Sequence, residues 1–139
     1  MNKKFQQISI KNGFMKHNGG VLFRTISENE YEFKTTIKEN HLNAAGITHG
    51  GFIAAFVDAG AGTAAHRVAD GSSCVTISVE LKFISVVKLG QELIGNTKIQ
   101  KKTRSMVFLT CELTAEDKIV ATASGVWKIL KLSGASPGS

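Results

Sequence analysis

Three groups of residues between Asn43 and Asp58 have types and spacings that could do chemistry together. The first is His49-Gly50-Gly51, directly ahead of a long apolar segment. A helix starting there presents unpaired backbone N–H groups at the positive end of its dipole. Two glycines let a ligand carbonyl approach those N–H groups without a Cβ in the way, which is the geometry of an oxyanion hole. The same glycines would also serve a plain loop-to-helix turn. The second group is Asp58, in the run Ala54–Gly62. Its helical neighbours three and four positions away are Ala54, Ala55, Ala61 and Gly62, so nothing local can pair with its charge. A carboxylate on a buried helix must be paired from elsewhere in the fold or kept for function. Both readings stay open at this level. The third is Asn43, in His41-Leu42-Asn43-Ala44-Ala45-Gly46, where an amide can cap a turn, polarise a carbonyl or orient a water.

The elements that must position these residues follow from periodicity. Gly50–His66 is almost wholly apolar and small, with no alternation and no polar stripe, and it predicts a helix buried on most sides. Thr48 is placed to cap it. Gly60 and Gly62 each cost roughly 1 kcal/mol of helix propensity against Ala, so close packing is expected around them. Beyond Gly71, Val75, Ile77, Val79, Leu81 and Phe83 alternate with Thr76, Ser78, Glu80 and Lys82, a period of two. Glu92–Gln100, Met106–Thr114 and Ile119–Leu130 follow as strands, separated by the hairpin-length breaks Lys101–Ser105 and Ala115–Lys118. Upstream, Val21–Ser27 and Tyr31–Lys38 read as a hairpin, and Phe5, Ile8 and Phe14 sit at loosely helical spacing within residues 2–14. The predicted fold class is α+β: an antiparallel sheet of consecutive strands, curled about one long buried helix. Residues 1–132 form one domain, and the small polar stretch 133–139 is expected to be a disordered tail.

Bulk composition narrows the function. In 139 residues, 42% are hydrophobic and 20% charged, with a single Pro and a net charge of +6. The basic balance favours an anionic partner. No nucleic-acid module is present, and one Tyr and one Trp offer little base stacking. A phosphorylated small molecule fits better than nucleic acid or a membrane. Lys98, Lys101, Lys102 and Arg104 cluster around one turn, either as a solvated tip or as a phosphate contact, and Lys82 and Lys88 are further candidates. Cys74 and Cys111 form no motif and read as buried reduced thiols. The four histidines show no ligand spacing, so no metal is expected. Met1–Phe14 lacks an apolar signal core and no run approaches a membrane span, which reads as cytoplasmic.

Asn43, five intervening residues, His49-Gly50-Gly51, six more and Asp58 together resemble the active-site segment of the hotdog-fold acyl-CoA thioesterases. The likeness is to the phenylacetate-degradation type, which includes thioesterase superfamily member two. It spans roughly residues 20–130, and Phe83–Gly90 is similar to that family's aromatic-x-x-x-x-Lys-x-Gly junction. The resemblance implies hydrolysis of an acyl-CoA thioester to free acid and coenzyme A. Gly50 and Gly51 would polarise the carbonyl through helix N-terminal amides, with Asp58 as general base or nucleophile. Asn43 and His49 would position the water and the carbonyl, and Thr76 would place a hydroxyl near the attacking water. Lys82, Lys88, Lys101, Lys102 and Arg104 are the candidates for the coenzyme A phosphates. No cofactor is implied beyond the coenzyme A of the substrate. Two other readings are a hotdog hydratase or dehydratase, whose fuller motif is missing, and a non-catalytic acyl-CoA binding module, which would have little need of Asp58. Helix geometry adds an expectation of its own. Gly51 and Asp58 lie roughly 10 Å apart along a helix axis, too far to act on one carbon within a single chain. A homodimer with antiparallel helices, sharing its active sites across a two-fold axis, removes the difficulty, and a dimer of dimers is a natural extension.

Overall fold

The period-two segments and the apolar run become one sheet and one long helix. In the computed structural model, which describes residues 3–130, the elements are β1 (Gln6–Gln7), α1 (Phe14–His17), β2 (Leu22–Ser27), β3 (Glu30–Thr36), a 3-10 turn (Glu39–His41), α2 (Gly50–Val68), β4 (Cys74–Phe83), β5 (Glu92–Lys102), β6 (Met106–Ala115) and β7 (Lys118–Ile129). The hairpin, the long helix and the four later strands stand where periodicity put them. The helical spacing read in residues 2–14 does not make a helix: β1 and irregular chain occupy residues 3–13, and α1 begins only at Phe14. The expected tail, residues 133–139, lies outside the described residues.

The strands form one antiparallel sheet in the order β1-β2-β3-β5-β6-β7-β4, curled about α2 as a hotdog fold. The pairing of β4 corrects the sequence expectation. It does not pair with its chain neighbour β5 but with β7, and it ends the sheet as an edge strand. Residues 84–91 carry the chain from that edge to the middle, where β5 pairs with β3. The sheet thereby closes over the helix from both sides. The tight β6–β7 turn holds Glu116 and Asp117 at φ 49° and 62°, the left-handed pair that suits the twist of a two-residue hairpin.

Only one side of α2 is covered. Phe52, Ile53, Phe56, Val57, Gly60, Ala61, Ala64 and Ala65 are buried, at the i, i+1, i+4 rhythm of a helix face. Ala54, Ala55, Asp58, Ala59 and Gly62 lie on the other side, where Asp58 is exposed and the rest are half-buried. Within the single chain α2 is thus buried on one face rather than on most sides, and Asp58 lies on the open face. The covered face carries the large residues Phe52, Ile53, Phe56 and Val57, and the open face carries small residues and Asp58. None of the described helices is long and apolar enough to cross a membrane.

The glycine at position 60 has a packing cause. The Phe33 ring, fully buried, wedges between α2 and β5. A Cβ at Gly60 would lie 2.2 Å from that ring, and one at Gly95 would lie 2.5 Å from it. Alanine at 60 would recover roughly 1 kcal/mol of helix propensity, but overpacking a tight core typically costs about 1–3 kcal/mol. Gly60→Ala is therefore expected to lower the urea midpoint, with overpacking outweighing propensity. A raised midpoint would contradict this packing.

Candidate active site

The start of α2 is held by several backbone anchors. Thr48 donates to the Val87 carbonyl twice, from its N–H at 3.0 Å and its hydroxyl at 2.7 Å. The hydroxyl expected to cap the helix is thus engaged with the loop after β4. The cap is His49, whose Nδ1 accepts from the Gly51 N–H at 2.8 Å. That acceptor role places the imidazole proton on Nε2. His49 N–H in turn donates to the His41 carbonyl at 2.8 Å. His41 is buried and satisfied. Its Nδ1 accepts from the Lys38 N–H, its Nε2 lies 2.6 Å from the Asn18 carbonyl, and its ring stacks on Phe52. No sequence signal marked it, because its role is to tie the loop of Asn18 to the first turn of α2.

These bonds divide the two glycines. The Gly51 N–H is taken by the cap, whereas the Gly50 N–H makes no hydrogen bond among the described residues. A Cβ at Gly51 would sit 2.8 Å from the His49 ring, so glycine makes room for the cap. A Cβ at Gly50 would lie 3.4 Å from the Phe83 ring, which forms a wall beside the open amide. Asn43 closes its own turn: its Oδ1 accepts from Ala45 N–H at 2.9 Å and Ile47 N–H at 3.3 Å, leaving only its NH2 to donate outward.

Asp58 and Thr76, far apart in sequence, meet here. The Thr76 hydroxyl donates to Asp58 Oδ1 at 2.6 Å. A β-bulge makes this possible. The β4–β7 register shifts between Thr76 and Ser78. Val79, Leu81 and Phe83 stand opposite Gly125, Ala123 and Ala121, and beyond the shift Thr76 stands opposite Trp127 on that same face. Unbroken alternation would have turned Thr76 away from the helix with Ser78 and Glu80. The extra residue re-aims it at Asp58, a common use of bulges beside functional sites.

The basic residues are not gathered in one place. Lys88 follows Val87 beside the start of α2, and Lys82 lies on the outward face of β4, opposite Thr122. Lys101 and Lys102 end β5 and Arg104 lies in the turn that follows. Lys102 shares a hollow with Arg67 and Val68 from the last turn of α2. That turn is at the opposite end of a helix about 28 Å long from Gly50. Both cysteines are free. Burial raises the Cys74 thiol and pushes Cys111 up to about 11, so neither is an available thiolate near neutral pH. Among the described residues no cluster of three His, Cys, Asp or Glu could hold a metal.

An open helix amide at one end and a hydroxyl-paired carboxylate at the middle of the same helix are thus the polar groups that the fold presents along α2. The chain belongs to the thioesterase superfamily, whose family model matches residues 45–122, more than half of its length. A candidate esterase of Pseudomonas aeruginosa is 33% identical over 94 residues, covering 67% of this chain and 70% of that protein. Human acyl-coenzyme A thioesterase 13 is 29% identical over 87 residues, 61% of this chain and 62% of that protein. A Streptococcus mutans protein solved bound to acetyl-CoA superposes with a TM-score of 0.72 at 20% identity, covering 78% of this chain and 86% of that one.

Replacing the cap tests the helix start. His49→Ala frees the Gly51 N–H and should lower stability by on the order of 1 kcal/mol, read as a drop in Tm. An unchanged Tm would show that the imidazole does not cap the helix.

Proposed function

We propose that this chain hydrolyses acyl-CoA thioesters to a carboxylic acid and coenzyme A. The observation that carries the proposal is the Asp58–Thr76 pair on the open face of α2, with an unpaired Gly50 N–H at the start of the same helix. In this reading the Gly50 N–H, at the positive end of the helix dipole, receives the carbonyl oxygen as it gains charge. The Asn43 NH2 and the His49 Nε2–H are the further donors available there. Asp58 acts as general base toward a water or as the nucleophile itself, and Thr76 fixes which way its carboxylate faces. By the water route, oxygen attacks the carbonyl carbon and its proton passes to Asp58. The carbon–sulfur bond then breaks, and the thiolate takes that proton as it leaves. The substrate class draws support from the relative named as an acyl-coenzyme A thioesterase and from the structural neighbour solved with acetyl-CoA. The basic balance of the chain suits the phosphates of that ligand.

Each active site is, in this proposal, shared by two copies. Gly50 and Asp58 are eight residues apart on α2, about 12 Å of axial rise. A carbonyl bound at the first cannot meet an oxygen held at the second, since attack requires approach to about 3–3.5 Å. Two features of the single chain support a partner. β4 is an unpaired edge on which Val75 and Ile77 are 45% and 51% exposed. The open face of α2 is lined by Ala54, Ala55, Ala59 and Gly62, small enough for close approach. An antiparallel second copy would set Asp58 of one chain opposite Gly50 of the other, twice. It would also carry the Lys101, Lys102 and Arg104 turn past the partner's helix start, where coenzyme A phosphates would reach it.

Two experiments test this. Thiol release from a panel of acyl-CoAs should fall by at least about 10²-fold in Asp58→Asn. Near-normal turnover in the folded variant would refute the assignment of Asp58. For the shared site, inactive Asp58→Ala and inactive Gly50→Val subunits are mixed and allowed to exchange. One intact site per mixed dimer should restore part of the activity. Proven exchange with no recovery would show that the site is not shared.

A further inference from the structure

The sole tryptophan of the chain, Trp127, is only 2% exposed. Its indole N–H makes no hydrogen bond among the described residues, yet it is not an enclosed orphan: the enclosed side-chain polar atom left without a partner there is Thr97 Oγ1. Its position connects it to the pair already described. Trp127 stands opposite Thr76 in the β4–β7 register, on the same face of the sheet. Directly opposed side chains of antiparallel strands are neighbours, with Cβ atoms about 4.5–5.5 Å apart. The nitrogen reaches the open side of α2, where a Cβ on Gly62 would stand 3.3 Å from Nε1. Gly62 is one helical turn beyond Asp58, on the same side of the helix. The Asp58 carboxylate, the Thr76 hydroxyl and the Trp127 N–H therefore meet at one corner between α2, β4 and β7.

The hydrogen-bonding capacities at this corner are unequal. Thr76 spends its only proton on Asp58 Oδ1. The other carboxylate oxygen has no partner among the described residues, and the indole N–H has no acceptor. The two do not bond each other. A water between them would donate to the carboxylate and accept from the N–H, and an ordered water needs at least two such polar partners. We propose that Trp127 Nε1–H holds the attacking water against Asp58, in a role that rests on the thioesterase reading. The water loses its proton to Asp58 as its oxygen bonds the carbonyl carbon, and the indole keeps its own proton throughout. The presence of glycine at 62 then has a reason. A side chain there would crowd the N–H, although alanine would favour the helix.

The test compares two variants with Asp58→Asn. Trp127→Phe removes the N–H while keeping an aromatic body. It should lower kcat for acyl-CoA hydrolysis at least about tenfold, the scale of one lost hydrogen bond. KM should stay within about twofold, because the substrate itself does not touch the indole. Gly62→Ala, whose added methyl would meet the indole nitrogen at 3.3 Å, is expected to lower kcat in the same way. It is the deciding variant should Trp127→Phe fail to fold. An unchanged kcat, or a raised KM with kcat intact, overturns the assignment of Trp127. If Asp58→Asn is inactive in the same assay, only this inference fails. If Asp58→Asn is active, the thioesterase mechanism fails with it.

Discussion

A single carboxylate in the middle of an otherwise apolar helix constrains the arrangement around it. Asp58 cannot be turned against the sheet, because an unpaired charge there would cost several kcal/mol. The helix is therefore oriented with Phe52, Phe56 and Val57 inward and Asp58 outward. That choice leaves the Ala54, Ala55, Ala59 and Gly62 side without cover from its own chain. There the carboxylate accepts from the edge strand β4, which supplies Thr76 only because its register slips by one residue.

Under the proposed hydrolysis, the start of the helix answers a different requirement. Oxyanion binding needs a backbone N–H that is both unpaired and fixed in space. The His49 cap takes the Gly51 amide and leaves the Gly50 amide open. The Thr48–Val87 and His49–His41 bonds then pin the turn to the loop after β4 and to the 3-10 turn. Pre-organisation here comes from backbone contacts that a sequence pattern does not reveal. Gly50 and Gly51 look alike in sequence, yet one makes room for an imidazole and the other leaves an amide exposed beside Phe83.

Much of the candidate site was legible because its residues are local and their types are chemically narrow. Asn43, His49, Gly50 and Asp58 fall within one loop and helix, where spacing translates directly into position. Thr76 was recognisable only through family resemblance. By alternation alone it belonged with Ser78 and Glu80 on the outer face, and the bulge that reverses this has no sequence mark. Trp127 was not legible at all. It lies about fifty residues further along the chain from Thr76, and only strand pairing makes them neighbours. The cap was assigned to Thr48, the usual residue type for it, because no pattern told that the Val87 carbonyl would claim that hydroxyl.

By itself, the sequence determined the elements and their order. The period of two after Gly71, the unbroken apolar run of α2 and the turn residues between strands are local consequences of backbone geometry, and each acts within a few residues. Tertiary structure alone decided which strands are neighbours, which side of α2 is covered and where polar groups from distant segments meet. β4 pairs with β7 rather than β5 because the sheet closes over the helix from both sides, and that closure involves the whole chain. Apart from Asp58 the open face of α2 is small and apolar, so no polar stripe marked it in the sequence. Side-chain volume acts together with the Asp58 charge: the large residues Phe52, Ile53 and Phe56 fill the concave sheet, and the small ones are left outside with Asp58.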